Sequence, residues 1–434
     1  MMNSRTEATE DGGVSDDDDG EDSSSESGLE FLTLDDFDVR GRKVVLRADI
    51  NSPVSEDTLR IEDGSKIASA VPTVRELIDR NACLVVMAHQ GRPGDHDFIT
   101  LNEHADYLTE FLGRRVRYVN DIHGSRALKA IRSLSEGECV LLQNVRNYSS
   151  EQLKLSPEEH AQSEMVRKLT PELDLFVNDA FASSHRSHAS LVGFTWTLPS
   201  AAGRLMEREM KALTELLRDP ARPSTFIFGG AKFVDTLPVL KRLVASGSAD
   251  HIILAGLVGC AFRMVQGDRV GAGTERLASR GVTEEVRKTA TELIEAGGSK
   301  MKLPIDGAIE ENGVRVDLAL EDVPEDATIL DIGPQTIDEF AKVIASSKTL
   351  FLSGPPGVYE VEEFAKGTKE LFLAIATSGA FSVIGGGHSS AAVNRLGFKD
   401  RFSYVSTGGG AVERMILGKP MPVIEALKMA ASRT

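Results

Sequence analysis

From Lys43 onward the chain alternates short apolar runs with longer stretches in which apolar residues recur every three or four positions. Val44-Val45-Leu46 leads into the periodic stretch Val71–Arg80, and that into Leu84-Val85-Val86-Met87. The short runs read as buried strands and the periodic stretches as amphipathic helices, so their alternation predicts βαβ units and a parallel sheet. Val140-Leu141-Leu142 and Leu175-Phe176-Val177 continue the series, each followed at once by polar or glycine-rich residues. Ligands of such sheets sit at those strand ends.

The pattern changes near Pro199. Ala201–Arg218 carries Leu205, Met206, Met210, Leu213 and Leu216 with charges between them, which predicts an amphipathic helix of connector length. A second strand series follows at Thr225–Phe228, Ile252–Leu254, Leu350–Leu352 and Phe381–Ile384. The expected fold class is therefore α/β, with two parallel-sheet domains joined by a helix. No short fixed period recurs, which excludes solenoids and propellers.

Composition adds the setting. At 434 residues with 41% hydrophobic and 26% charged residues, the chain can build sizeable cores without metals or disulfides. Cys83, Cys139 and Cys260 are widely spaced inside apolar runs, the pattern of buried thiols in a reducing, cytoplasmic compartment. No stretch is apolar enough for a membrane span, and the N-terminus lacks a signal-peptide pattern. The net charge is −17, but Met1–Gly28 holds ten acids and one arginine, so −9 sits there and −8 on the rest. That residual balance points to no nucleic-acid surface. Residues 1–28 have almost no apolar surface to offset ordering entropy and read as a disordered acidic tail. A docking arm for a basic partner and salt adaptation are the alternative readings of the tail.

Candidate chemistry gathers at the predicted strand ends. In Leu-Arg-Ala-Asp-Ile-Asn-Ser-Pro, strand alternation puts Arg47, Asp49 and Asn51 on one side. They read as a grip on a small anionic ligand, or alternatively as a salt bridge with Asn51 capping the turn before Pro53. Further cations close other strands: His89 and Arg92, then Arg146, then His185, Arg186 and His188. Converging, these loops would make a basic bowl suited to a ligand with both phosphate and carboxylate, because arginine offers paired planar donors. In the second half, Gly229-Gly230-Ala231-Lys232 closes a strand with two glycines and a lysine, without the spacing of a Walker A loop. Ser353-Gly354-Pro355-Pro356-Gly357, Gly385-Gly386-Gly387-His388-Ser389 and Gly408-Gly409-Gly410 follow later runs. Four such segments suggest a nucleotide cradle, whereas any one alone reads as a turn.

Taken in order, Arg-x-Asp-x-Asn-x-Pro, Gly-Arg-Pro, Asn-Val-Arg, Asn-Asp-Ala-Phe with His-Arg, Gly-Gly-Ala-Lys, Gly-Pro-Pro-Gly-Val-Tyr-Glu, Gly-Gly-Gly-His and Ser-Thr-Gly-Gly-Gly-Ala resemble the motif set of the phosphoglycerate kinase family. The match runs from about Leu34 to Ala430, and His-Gln-Gly-Arg-Pro with Gly-Gly-Gly-His resembles its archaeal branch. The resemblance implies two Rossmann-like domains and reversible phosphoryl transfer between ATP and the carboxylate of 3-phosphoglycerate, with Mg2+ accompanying the nucleotide. Expected boundaries are 29–198 for an acid-binding domain, 199–218 for the connecting helix, 219–404 for a nucleotide domain, and 405–434 for a segment returning toward the first domain. By similarity, Asp49, Asn51, Lys66, His89, Arg92, Arg146, His185 and Arg186 hold 3-phosphoglycerate, with Arg47 in support. Gly229, Gly230, Lys232, Ser353, Gly354, Glu360, Gly385, Gly386, Gly387, His388 and Ser389 hold nucleotide, and Lys66, Lys232, Gly386 and Gly409 meet the moving phosphoryl group. No protein metal ligands are expected, and a monomer is expected before a homodimer.

This chain also departs from the family pattern. Lys66 stands where the family carries an arginine, Thr236 where many members have a second lysine, Gln143 for Glu, Ser353 for Asn and His388 for Asp. Lysine keeps the charge but loses the planar fork, so slower turnover is expected. The main rival reading is a weakened relative that binds nucleotide or phosphoglycerate in a regulatory role. Two further alternatives are a phosphotransferase acting on another small carboxylate, and a nicotinamide dehydrogenase, which lacks its GxGxxG signature here.

Overall fold

Two six-stranded parallel sheets carry the molecule, and the computed structural model describes residues 29–433. The acidic tail expected over 1–28 lies outside the described residues. In the first sheet β1 (Lys43–Arg47), β2 (Cys83–Met87), β3 (Val116–Val119), β4 (Cys139–Leu142), β5 (Leu175–Asn178) and β6 (Ser200–Ala202) lie in the order β3-β4-β2-β1-β5-β6. In the second, β7 (Ser224–Phe228), β8 (His251–Leu254), β9 (Met301–Lys302), β13 (Thr349–Ser353), β14 (Phe381–Gly385) and β15 (Tyr404–Val405) lie in the order β15-β14-β13-β7-β8-β9. A small antiparallel sheet of β10 (Asp306–Glu311), β11 (Val314–Ala319) and β12 (Ile329–Ile332) sits between β9 and β13 in sequence.

The central strands β2, β4, β5 and β7 are buried along their whole length, which is why their sequences are continuous apolar runs: helices cover both faces of each sheet. Each sheet reverses its direction of growth once beside its first strand, between β1 and β5 in one and between β7 and β13 in the other. Crevices open at such reversals.

The connecting helix spans Arg204–Leu217, later than the periodicity predicts. Ala201 and Ala202, expected within it, instead pair with β5 as part of β6. Small side chains fit this fully buried edge, and a Cβ at Gly203 would sit 2.3 Å from the Asp179 carboxylate. That carboxylate caps the helix, its Oδ1 accepting from the Leu205 and Met206 N–H groups at 2.8 and 3.0 Å. Burial pushes the Asp179 carboxyl up to about 6, against the pull of these hydrogen bonds. Arg204 then ties the helix start to Asp35 (2.5 Å), Glu76 (2.7 Å) and Glu207 (2.8 Å).

One hydrophobic core bridges the two sheets. It takes Phe181, Leu191 and Ala202 from the first half, Met206, Met210 and Leu213 from the connecting helix, and Phe226 and Phe351 from the second. The C-terminal helix Pro422–Ala431 joins it through Val423, Ile424 and Leu427 and donates from Val423 N–H to the Ser184 carbonyl at 3.2 Å.

Candidate active site

The strands β5, β1, β2 and β4 are neighbours, so the segments leaving their C-terminal ends lie side by side and bring the predicted cations together. Arg47 closes β1 with only 1% exposure, too deep to meet a ligand in the open. Its Nε donates to Ser190 Oγ (2.9 Å), Nη1 to the Ala48 carbonyl (2.5 Å), and Nη2 to His89 Nδ1 (3.0 Å). A guanidinium only donates, so His89 accepts at Nδ1 and its proton lies on Nε2. Burial, then Arg47, Arg146 and Arg186, hold this imidazole well below its usual pKa and therefore neutral.

Asn51 and Arg146 grip the same glycine. Asn51 Oδ1 accepts from Gly91 N–H at 2.8 Å, and Arg146 Nη1 donates to the Gly91 carbonyl. Gly91 has φ +63°, and a Cβ there would stand 2.3 Å from the Asp97 carbonyl oxygen. The adjoining Arg92 is exposed. Asn51 thus holds a loop rather than capping the turn before Pro53, and among the described residues Arg47 and Asp49 form no ion pair, although their charges interact. Arg146 is pushed down to about 10 by burial and then by Arg186 and Arg47. Among the described residues its buried Nε has no partner, and neither has His185 Nδ1. Arg186 donates from Nε to His185 Nε2 at 3.1 Å. Buried donors left open beneath mutually repelling cations suit an anionic ligand.

The second half builds a cleft of about 540 Å³ where β7 and β13 end. Gly229 and Gly230 donate to the Ser353 and Pro355 carbonyls at 2.9 and 2.8 Å. A Cβ at Gly354, where φ is +90°, would lie 2.3 Å from Gly229 O, so bare backbone lines this seam. Gly385 ends β14, and Gly386 precedes the helix Gly387–Arg395. Gly408 likewise precedes the helix Gly409–Ile416. These helix starts carry no side-chain cap, and their free N–H groups favour phosphate. Ser389 is committed to the frame, its Oγ accepting from Gly354 N–H at 2.7 Å. Lys232, Glu360 and His388 are exposed on the lining. Thr236 bonds back to the Lys232 carbonyl at 2.8 Å and supplies no charge.

Several contributors escape sequence reasoning. Leu257, Leu277, Leu320 and Val358 give the cleft an apolar wall; the exposure of Leu277 and Val358, 36% and 38%, is the signal that appears only in three dimensions. Asp235 and Glu413 also line it. Burial and then Asp235 push the Glu413 carboxyl up, while Lys232 opposes them, so these three charges share one neighbourhood. Glu209, fully buried on the connecting helix, accepts from Thr407 N–H (2.7 Å), Thr407 Oγ1 (2.8 Å) and Ser406 Oγ (2.7 Å). Lys66, in the first turn of the helix Ser65–Asp79, reaches across from the other half to donate from Nζ to the Thr407 carbonyl at 2.5 Å. The bowl and the glycine segments therefore meet at Thr407.

Comparison with known proteins gives the same picture from a separate direction. A family model described as phosphoglycerate kinase matches residues 34–419. Curated relatives named phosphoglycerate kinase include that of Methanothermus fervidus, 42% identical over 406 residues and 94% of this chain and 99% of its own length. That of Methanothermobacter thermautotrophicus is 44% identical over 401 residues, covering 92% of this chain and 97% of its own. Among solved structures, phosphoglycerate kinase from Pyrococcus horikoshii OT3 matches with a TM-score of 0.85 and 36% identity, over 93% of this chain and all of that one. The enzyme from Coxiella burnetii matches with a TM-score of 0.78 and 29% identity, over 92% and 100%.

Proposed function

The chain belongs to the phosphoglycerate kinase family, and from that premise we propose that its two strand-end sites divide the substrates between them, 3-phosphoglycerate on the basic bowl and ATP in the glycine cleft. The enzyme is a kinase that transfers phosphoryl groups reversibly between ATP and 3-phosphoglycerate. The observation that carries the division is the junction at Thr407, where Lys66 of the bowl side touches the segment that leads into Gly408-Gly409-Gly410.

In this reading Arg92, Arg146 and Arg186 take the phosphate and carboxylate of the acid, His89 donates from Nε2, and Arg47 keeps His89 in that tautomer. Asp49 offers an acceptor to the acid's hydroxyl. Asn51 acts by fixing Gly91 and hence the loop bearing Arg92. Gly229 and Gly230 let the nucleotide phosphates approach bare backbone, and the helix starts at Gly387 and Gly409 give them free N–H groups, with Lys232 as the nearby cation. Leu257, Leu277, Leu320 and Val358 receive the base, and Glu360 the ribose. The substrate carboxylate oxygen attacks the γ-phosphorus, its new P–O bond forming as the bond to the β–γ bridging oxygen breaks. A carboxylate needs no base to activate it, so the chain's work is alignment and charge neutralisation. Lys66 and Lys232 supply that neutralisation from opposite sides, and closing the halves over the reactants removes water.

Family members work with ATP and Mg2+. The donor set here fits a magnesium ion that keeps much of its water: Asp235, Glu413 and Ser353 are hard oxygen donors on the cleft, whereas His388 offers nitrogen. Asp235 and Glu413 would hold the hydrated ion, which would supply charge neutralisation on the phosphates.

A coupled assay with ATP, magnesium and 3-phosphoglycerate, run with and without residues 1–28, tests the reading. Saturable turnover with both substrates is expected. Tight binding of either substrate without turnover would instead favour the regulatory relative.

A further inference from the structure

Beneath the bowl lies a carboxylate that phosphoryl transfer itself does not use. Glu151 is 0% exposed. Its Oε1 accepts from Ser190 Oγ at 2.6 Å, its Oε2 from Ser190 N–H at 2.9 Å, and its carbonyl from Ala189 N–H at 3.0 Å. Ser190 has one hydroxyl hydrogen, which it gives to Glu151, so its lone pair is free to accept from Arg47 Nε at 2.9 Å. Arg47 then donates to His89 at 3.0 Å. Four residues from four segments form one continuous hydrogen-bonded chain, with Arg47 donating to both sides, that ends at the bowl.

We propose that Glu151 is a positioning residue for the acid substrate: through Ser190 it orients Arg47, and through Arg47 it sets the ring and tautomer of His89, so that the bowl is aligned before the substrate arrives. The proposal rests on the reading that the bowl holds 3-phosphoglycerate. Its physical basis is the charge balance. Arg47, Arg92, Arg146 and Arg186 repel one another, and Asp49 and Glu151 are the acids that pull on them. Without the Glu151 charge, Arg47 is a buried cation with its Ser190 relay unanchored, and groups in that condition reorganise.

The carboxylate also titrates where it can be watched. Burial pushes Glu151 up to about 7, while Arg47, Ser190 and Arg146 pull it down. Facing it are Arg47 from β1, Arg146 beyond β4, and His188 beyond β5, whose Nδ1 lies 4.0 Å from Oε1; His160 stands behind His188. His188 is pushed down to about 3, and His89 and His185 are also lowered, all chiefly by burial. The bowl histidines are thus neutral near pH 7, and the substrate's own phosphate, titrating near pH 6, does so against any variant.

Steady-state kinetics of the full chain at saturating ATP and magnesium, with 3-phosphoglycerate varied between about pH 6 and 8.5, provide the test. In the unaltered enzyme KM for the acid should fall as pH rises through 7. Glu151→Gln should raise that KM about tenfold at pH 8, leave KM for ATP within about twofold, and abolish the fall through pH 7. Ser190→Ala, which keeps the carboxylate but cuts the relay, should raise KM severalfold, and any fall in KM that remains should move to higher pH, because the hydroxyl that pulls the Glu151 carboxyl down is gone. An unchanged or lower KM in Glu151→Gln, or a fall in KM through pH 7 that survives it beyond the substrate's own titration near pH 6, overturns the proposal. If Glu151→Gln does not fold, an unchanged KM in Ser190→Ala overturns it. Arg186→Ala separates the two levels: if it leaves KM for the acid intact, the bowl reading falls and takes this proposal with it. If Arg186→Ala raises KM and Glu151→Gln does not, only the role of Glu151 falls.

Discussion

Lys66 illustrates how much depends on the shape of one cation. Its ammonium sits at 2.5 Å from the Thr407 carbonyl, and a point charge so committed has little geometry left to track a phosphoryl group in transit. An arginine could keep one N–H on that carbonyl and present a second, planar pair to the phosphoryl oxygens. Lys66→Arg should therefore raise kcat severalfold while KM for both substrates stays within about twofold; a coupled assay at saturating substrate reads this, and an equal or lower kcat removes Lys66 from the transfer step. Residue-scale chemistry was only partly legible in the sequence. Arg146 and Lys232 announce themselves because each stands four residues past the end of an apolar run, where a strand-end loop faces a crevice. Glu151 does not, since Ser149-Ser150-Glu151-Gln152 reads as an ordinary polar stretch. Its burial is decided by Ser190, almost forty positions later, and no local pattern encodes such a partner.

At the scale of elements, strand ends and helix starts do the organising. The connecting helix begins where Asp179 caps it, and the cap carries a pH signature. The folded protein holds this carboxyl at about 6, above its ordinary range near 4. Between these values the folded state binds a proton that the unfolded chain releases, so this group's contribution to stability falls as pH rises through the window and is level above it. Asp179→Asn keeps an acceptor for the helix and loses the titration. Its unfolding free energy relative to the unaltered protein should thus climb between about pH 4 and 7, by about 3 kcal/mol. Urea melts at several pH values measure it, and a flat difference would exclude the cap as the origin. The strands themselves were readable from apolar runs, because a sheet covered on both faces demands them. Ser200-Ala201-Ala202 was not: small residues carry no strand signature, and the helical period running into them from Leu205 is an extrapolation that Gly203 interrupts.

For the whole molecule, the shared core matters more than either sheet. Val423, Ile424 and Leu427 of the C-terminal helix pack into a cluster that includes Ala202 and Phe181 of the first half and Phe226 of the second. Each such side chain contributes roughly 1.5–3 kcal/mol when fully buried. Ending the chain at Gly418 should lower the urea midpoint and expose apolar surface. Trp196, the one tryptophan, reports this directly, because the Arg433 guanidinium lies 4.7 Å from its ring centre and is lost with the helix. An unchanged midpoint and emission would show that the helix is dispensable.

The same arrangement sets a schedule for the newborn chain. The last strand of the first sheet ends at Ala202, yet the helix that completes its surroundings begins at Pro422. At a synthesis rate of about 10 residues per second, roughly twenty seconds separate the two. Throughout that interval the first half stands on the ribosome with an apolar flank uncovered. Slow decoding of the second half would prolong that exposure, and only the arrival of the helix Pro422–Ala431 closes the flank.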